Sequence, residues 1–315
     1  MSIAPEQPAP VEVYEATALD DPKEQSFLKK QKKEKEASLG EKHTTALRVI
    51  HYIVLILIAI LMLFPLLWQL STSLKAPGID LYARPPELFP SEVSGKAYVR
   101  VFQVVPVWSY VINSLIVALI TVAGNLVGAT TAGYALAKMK FRGKGFAFVI
   151  VLIGILVPSE VILISRYLLM HQLHLSNTLI AVALPGLVGA LNILLMTNAI
   201  NGIPDSIEEA AMIDGANAWQ RFTRIILPSV KGTMAVVAIF SFVGAWDEFL
   251  WPLIVLSDQS KYTLTVGLNF LKGTFANDPR VVAAGTMVAI IPLVILFFSL
   301  QKYFFQGVGE GGVKG

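Results

Sequence analysis

Two adjacent carboxylates, Asp247 and Glu248, stand between Trp246 and Trp251 inside an apolar run. At membrane depth such a group can carry a proton or a cation, and its insertion costs at least about 2.5 kcal/mol. Beside indole faces it also suits a polyhydroxylated ligand, and Asn125 in an earlier apolar run joins Trp246, Asp247, Glu248 and Trp251 as a candidate pathway residue. Neighbouring helical residues point about 100° apart, so on a continuous helix the two carboxylates cannot face one point equally. Hydrogen bonding between helices inside a bundle is the structural alternative and stays open here.

Other patterns carry less chemistry. His171 and His174 share a loop without further ligands, so no metal site is expected. Cysteine is absent, which removes disulfides, iron–sulfur clusters and thiolate zinc sites within the chain. Gly307, Gly309 and Gly312 satisfy G-x-G-x-x-G, but no strand precedes them and no room for a helix follows. No G-x-x-x-x-G-K-[ST] exists to cradle a phosphate, and no convincing nucleophile and base pair is present. The expectation is a chain with no catalytic residue and no cofactor of its own.

The elements that position these residues are membrane helices. The 315 residues are 55% hydrophobic and 15% charged, and the mean hydropathy is +0.64, far above a soluble domain. Residues 1–45 are the exception: their mixed charges lack apolar surface and read as a disordered tail, with Lys29 to Lys35 able to touch anionic lipid. No apolar core follows a short basic start, so the first span is expected to insert as its own anchor rather than as a cleaved signal. Runs of about 20 apolar residues predict an all-α protein with six spans, at Leu47–Leu70, Tyr110–Ala135, Phe146–Ser165, Thr178–Ile200, Thr233–Val255 and Val281–Tyr303.

Basic residues gather in alternate connections. Lys138, Lys140, Arg142 and Lys144 crowd the second and Arg221, Arg224 and Lys231 the fourth, whereas the third holds Arg166 alone. By the positive-inside rule both termini are cytoplasmic. Glu160, near the outer end of the third span, and Arg166, just beyond it, read as interfacial side chains that are paired or reach for water. Gly124 and Gly128 form a small-xxx-small pair for close helix packing. No inverted repeat of the secondary-transporter kind is visible.

The fourth connection, residues 201–232, breaks the apolar pattern with "IPDSIEEAAMIDGANAWQRFTRIILP". Pro204 suits a first helical position, and Asp205, Glu208 and Glu209 favour a helix N-terminus. Gly215 offers the left-handed stop. Asn217 with Gln220 predicts a capping box for a second helix, whose stripe is Trp219, Phe222 and Ile226. Ala210 and Ala211 beside a carboxylate would let a partner's backbone approach closely. A surface helix packed on its own bundle is the bland alternative.

The spacing E-A-A, three residues, G, nine residues, I-x-L-P is met by Glu209, Ala210, Ala211, Gly215, Ile225, Leu227 and Pro228, and it resembles the signature loop of ABC importer permeases. With "INSLIVAL", "AGYALAKMKFRGKG" and "GAWDEFLWPL", residues 47–315 look like carbohydrate-uptake permeases of the maltose-transporter MalG type, with Asp247 and Glu248 where that family usually has Asn and Asp. The resemblance implies a type I ABC importer permease fold over residues 46–315 and a multi-pass place in a bacterial or archaeal cytoplasmic membrane. It implies ATPase coupling through Glu208, Glu209, Ala210, Ala211, Asp214, Gly215, Ile225, Leu227 and Pro228. The implied partners are a homologous second permease, a pair of ABC ATPase subunits that bind ATP and magnesium, an external solute-binding protein and the bilayer, with no nucleic acid. The implied cargo is a sugar, an oligosaccharide or a glycerol phosphate derivative. The competing reading is an ion-coupled secondary transporter or channel using Asp247 or Glu248.

Overall fold

The computed structural model describes residues 22–85, 87–275 and 278–312, with side chains described from residue 47 to 299 and at 301 within that set. Among the described residues the chain is helical, with one isolated antiparallel bridge between Lys75 and Val93 and no strand. It divides into two compact units, residues 1–67 and 68–315.

Helix α1 (Pro22–Leu74) begins in the first unit and ends in the second. Residues 22–45, expected as a disordered tail, are therefore helical; residues 1–21 of that tail lie outside the described residues. The reason is local, since this stretch is rich in Lys, Glu and Gln, which favour helix even where no core can form. Its apolar part, Leu47–Leu74, is long enough to cross a membrane, and the large apolar side chains of residues 47–67 are exposed, as a helix facing lipid requires.

The second unit continues with α2 (Lys96–Val104), α3 (Val107–Lys138), α4 (Lys144–Leu156), α5 (Leu163–Gln172), α6 (Leu179–Ala183) and α7 (Ala190–Asn201). Then come α8 (Asp205–Ile213), α9 (Ala218–Arg221), α10 (Leu227–Ser229), α11 (Lys231–Asp247), α12 (Leu250–Val255), α13 (Leu264–Thr274) and α14 (Pro279–Gly312). Among the described residues three helical stretches are long and apolar enough to span: Leu47–Leu74, Val107–Lys138 and Pro279–Ser299. Two bent pairs, Leu179–Gly186 with Ala190–Asn201 and Ala218–Ser229 with Lys231–Asp247, bring the candidates to five.

Three of the expected spans are thus not continuous helices. The third, expected over Phe146–Ser165, stops at Leu156 because Pro158 forces Val157 to extended backbone at φ −81°, ψ 117°. The fourth bends by 43° after a 3₁₀ turn at Leu184–Gly186. The fifth ends its long helix at Asp247, with Glu248 extended at φ −60°, ψ 124°. Pro252 has no N–H to give to the Glu248 carbonyl, and the Thr265 hydroxyl donates to that carbonyl instead at 2.8 Å.

Helix α3 is the axis of the second unit, packing chiefly on α7 and α11, while α11 also packs on α14. The Gly124–Gly128 pair admits the link between α6 and α7 rather than a helix face. A Cβ at Gly124 would lie 2.8 Å from the Leu187 carbonyl oxygen, and one at Gly128 would lie 2.5 Å from Val188 Cγ2. Gly124→Ala should therefore destabilise by about 1–3 kcal/mol through overpacking against backbone. Gly244→Ala, where nothing lies within 4 Å, should be neutral or stabilising by about 0.5–1 kcal/mol. Thermal unfolding in detergent compares the two, and equal midpoints would contradict this packing.

Candidate functional site

Two regions collect the side chains with chemistry, and the first is the connection from α7 to α11. Helix α8 stops where Gly215 turns left-handed at φ +80°. Gly215 N–H donates to the Met212 carbonyl at 3.1 Å and Ala216 N–H to the Ala211 carbonyl at 2.9 Å, the paired bonds of a Schellman end. Pro204 stands one position earlier than expected, as the N-cap of α8. Asn217 and Gln220 form the capping box of α9, at 2.8 and 2.9 Å. A π-helical turn, Phe222–Ile226, carries the chain into α10, where Pro228 is exposed.

This loop has an inner and an outer face. Phe222, Ile226 and Ile203 are buried with Tyr134 of α3 and Met196 and Ile200 of α7, and the Tyr134 and Phe222 rings stand 5.2 Å apart. Ile225 and Leu227 are half-buried at that edge. Glu208 turns inward too: it is buried beside the Tyr134 hydroxyl, which Arg221 also approaches. Its neighbour Glu209 is exposed with Ala210 and Asp214, and Ala211 is half-buried. Beside them Ile213 is 87% and Trp219 69% exposed. Trp219, expected in the apolar stripe, thus faces outward, although its ring touches Phe222 at 5.8 Å. Exposed apolar groups and carboxylates thus share the outer face, a mix common at interaction sites.

Lys138, at the end of α3, clamps the start of α8. Its ammonium donates to the Ile203 carbonyl at 2.6 Å and pairs with Asp205, while its own side chain is only 7% exposed.

The second region lies inside the helix bundle. Asn125, 1% exposed, uses its whole amide. Nδ2 donates to the carbonyls of Thr121 (3.0 Å) and Gly186 (2.7 Å); Oδ1 accepts from Gly189 N–H (2.7 Å) and Asn192 Nδ2 (2.8 Å). Asn192 Nδ2 also donates to Ser241 Oγ at 3.0 Å. This network borders a cavity of about 300 Å³ whose wall includes Arg166, Glu248 and Trp251. Arg166, half-buried, lies over the Trp251 ring at 5.2 Å. Trp251 Nε1 donates to the Ala181 carbonyl, and its backbone N–H donates to Glu248 Oε1 at 3.1 Å.

Trp246 and Asp247 go elsewhere. Trp246 is buried, stacks on Phe242 at 5.6 Å and donates Nε1 to the Ala289 carbonyl. With Asp247, Asn269 and Lys272 it borders a separate cavity of about 340 Å³. The residue set expected around one pathway is therefore split by the helix end at Asp247, with Asn125, Glu248 and Trp251 on one side. Asn192 and Ser241 escaped the sequence reading, although an asparagine within an apolar span is itself a signal.

Among the described residues the second unit is thus a helical bundle with broken spans, a cavity bordered in part by polar side chains, and an amphipathic loop. Residues 124–310 match the family described as binding-protein-dependent transport system inner membrane component, and the chain belongs to that family. It is 34% identical over 265 residues to the arabinooligosaccharides transport system permease protein AraQ of Halalkalibacterium halodurans, covering 82% of this chain and 93% of AraQ. It is 30% identical over 256 residues to the diacetylchitobiose uptake system permease protein DasC of Streptomyces coelicolor, covering 81% and 92%. A solved bacterial ABC transporter involved in the import of the acidic polysaccharide alginate contains a chain that superposes with TM-score 0.70 at 25% identity, covering 81% of this chain and 95% of that one. These relatives are transport-system permeases.

Asp205 offers a test of the α8 clamp. Lys138, by hydrogen bond first and by charge second, holds the Asp205 carboxyl below its usual range. A carboxyl lowered on folding stabilises above its unfolded pKa of about 3.9 and loses that contribution as pH falls through the folded value. Asp205→Asn should lower the unfolding midpoint at neutral pH and remove this step of acid sensitivity. Circular dichroism melts from about pH 7 to about pH 3 follow it, and parallel profiles for the two proteins would overturn the clamp.

Proposed function

We propose that this chain forms half of the translocation pathway of an ATP-driven importer for a sugar, an oligosaccharide or a glycerol phosphate type solute. The observation that carries the reading is the outer face of α8 and α9, where Glu209 stands beside exposed Ile213 and Trp219. That face fits a cleft in a separate ATPase subunit, which would bind ATP and magnesium itself. Glu209, Ala210, Ala211, Asp214 and Gly215 would make or shape the contact. Glu208, Ile225, Leu227 and Pro228 would hold the loop in place from behind.

Six crossings follow if α4 with the segment after it counts as the third and each bent pair as one. The basic connections around Lys140 and Arg224 favour cytoplasmic termini. A homologous second permease would complete the pathway, and an external solute-binding protein would deliver the cargo. The cavity wall of Asn125, Asn192, Ser241, Glu248 and Trp251 combines amide, hydroxyl, carboxylate and indole, which suits a polyhydroxylated solute; Trp246 and Asp247 would border the pathway's second cavity. Sugar and oligosaccharide names among the relatives support the same class. The competing ion-coupled reading would use Asp247 or Glu248 as a proton or cation site, and membership of the binding-protein-dependent family speaks against it.

The test is purification of the tagged chain from its own membrane with identification of bound proteins. An ABC ATPase should copurify, and Glu209→Lys combined with Gly215→Val should reduce its recovery at least about tenfold, as expected for a central interface contact. An unchanged recovery, or no ATPase with the unsubstituted chain, would sink the reading.

A further inference from the structure

A third cavity, of about 240 Å³, lies away from both regions described above, among the start of the loop after α1, the first turns of α2 and α14, and Phe275. Its wall is strongly cationic. Lys75, Lys96, Arg100 and Arg280 border it, and Asp278 is the one carboxylate among the described lining residues. Asp278 is already engaged, at 3.2 Å from Arg280 Nη1.

The positive groups are short of partners. Lys75 is 2% exposed, and no carboxylate among the described residues comes within ion-pair distance of it. Its ammonium lies 5.2 Å over the Trp68 ring, and its backbone is pinned by the bridge to Val93. Arg280 donates Nη2 to the Ile79 carbonyl, but its buried Nε has no hydrogen-bond partner. The Arg100 guanidinium stands 5.6 Å over Phe275 and bears no ion pair among the described residues. Buried or half-buried cations cost free energy unless an anion meets them. Two helix N-termini at the same cavity add to the attraction for negative charge.

The position of the cavity selects the anion. Lys75 directly follows the apolar run Leu47–Leu74, and Arg280 is the second residue of the apolar run Pro279–Ser299. Both charges therefore stand at the boundary between hydrocarbon and headgroups, whichever leaflet it is. Helix α2 has the character of an interfacial helix: Ala97 and Val101 are buried, Val99, Phe102 and Val104 are exposed, and Trp108 follows on the exposed side. We infer that this cavity binds the phosphate of an anionic phospholipid headgroup, with Lys75 and Arg280 beneath the phosphate and Lys96 and Arg100 at the rim. The lipid would tie the end of α1 to α2 and the start of α14 by neutralising charges that the protein leaves unpaired.

Native mass spectrometry of the full chain, purified with whatever subunits accompany it, tests this with two probes, phosphatidylglycerol and phosphatidylcholine. The unsubstituted chain should hold one phosphatidylglycerol at least tenfold more tightly than phosphatidylcholine, and Lys75→Met should weaken it by about fivefold, the worth of one interfacial charge. Because Lys75 is buried, Lys96→Gln with Arg100→Gln, both at exposed positions, supplies a second variant that should weaken the lipid at least about tenfold. Arg142→Gln, an exposed cation elsewhere, should change nothing. Displacement of the lipid by millimolar inorganic phosphate would assign the cavity to a free anion and overturn the lipid reading. So would equal losses in the Arg142→Gln control, or unchanged lipid binding together with loss of a copurifying soluble protein, which would make the cavity a protein contact.

Discussion

Within an apolar surrounding every backbone N–H and carbonyl needs a partner inside the protein, and this chain interrupts its apolar helices repeatedly. The structure stands because polar side chains catch what each interruption releases. Asn125 is the central case. Its amide takes the carbonyl of Gly186 and the N–H of Gly189 on either side of the break between α6 and α7, and it anchors itself to Thr121 one turn back. Thr265 does the same for the Glu248 carbonyl, and Glu248 supplies an acceptor for the Trp251 N–H on the far side of that break. Removing the Asn125 amide would orphan buried or half-buried backbone groups, which costs about 1–3 kcal/mol each.

The same staples create the cavity. A continuous helix would present only side chains to the bundle, but a break brings backbone polarity inward and obliges polar residues to gather around it. Asn125, Asn192 and Ser241 form such a group across α3, α7 and α11. Part of the amide and hydroxyl capacity of that chain is spent on structure, and the remainder borders the cavity. In the proposed pathway, structural satisfaction and solute recognition would therefore not be separate properties of these residues.

How much of this could be seen in the sequence differs by element. The apolar runs, the left-handed stop at Gly215 and the capping pair Asn217 and Gln220 each rest on local chemistry and appear in the structure where their residue types place them. The interruptions were harder to see. Pro158, Pro185 and Pro252 were visible, but a proline in a membrane helix is compatible with a kink or with a full break, and the outcome depends on whether a distant side chain such as Thr265 receives the freed carbonyl. The divergence of Asp247 from Glu248 was legible in helical geometry, whereas the helix end between them, with Glu248 extended, goes with that tertiary contact. Helicity of residues 22–45 was missed for another reason: composition was read for core formation, while Lys and Glu favour helix without one.

The loop at Glu209 shows how adjacent residues of one type come to serve opposite ends. On α8 the carboxylates of Glu208 and Glu209 diverge by about 100°, so only one can face the bundle. Glu208 does, against Tyr134, and Glu209 is left at the surface. The inner side of the loop meets α3 through Lys138 and Tyr134, meets α7 through Ile200 and Met196, and runs into α11 by way of Ile226 and Val230. Those three helices also carry Asn125, Asn192 and Ser241. In the proposed importer a displacement of α8 would thus act on the helices that hold the cavity's polar chain. Close packing makes that transmission stiff, since interdigitated side chains leave little room to absorb a shift. In the proposed importer, movement imposed at Glu209 would reach the cavity by this route, and the rigidity of the inner face, more than the chemistry of the outer one, would set how much of it arrives.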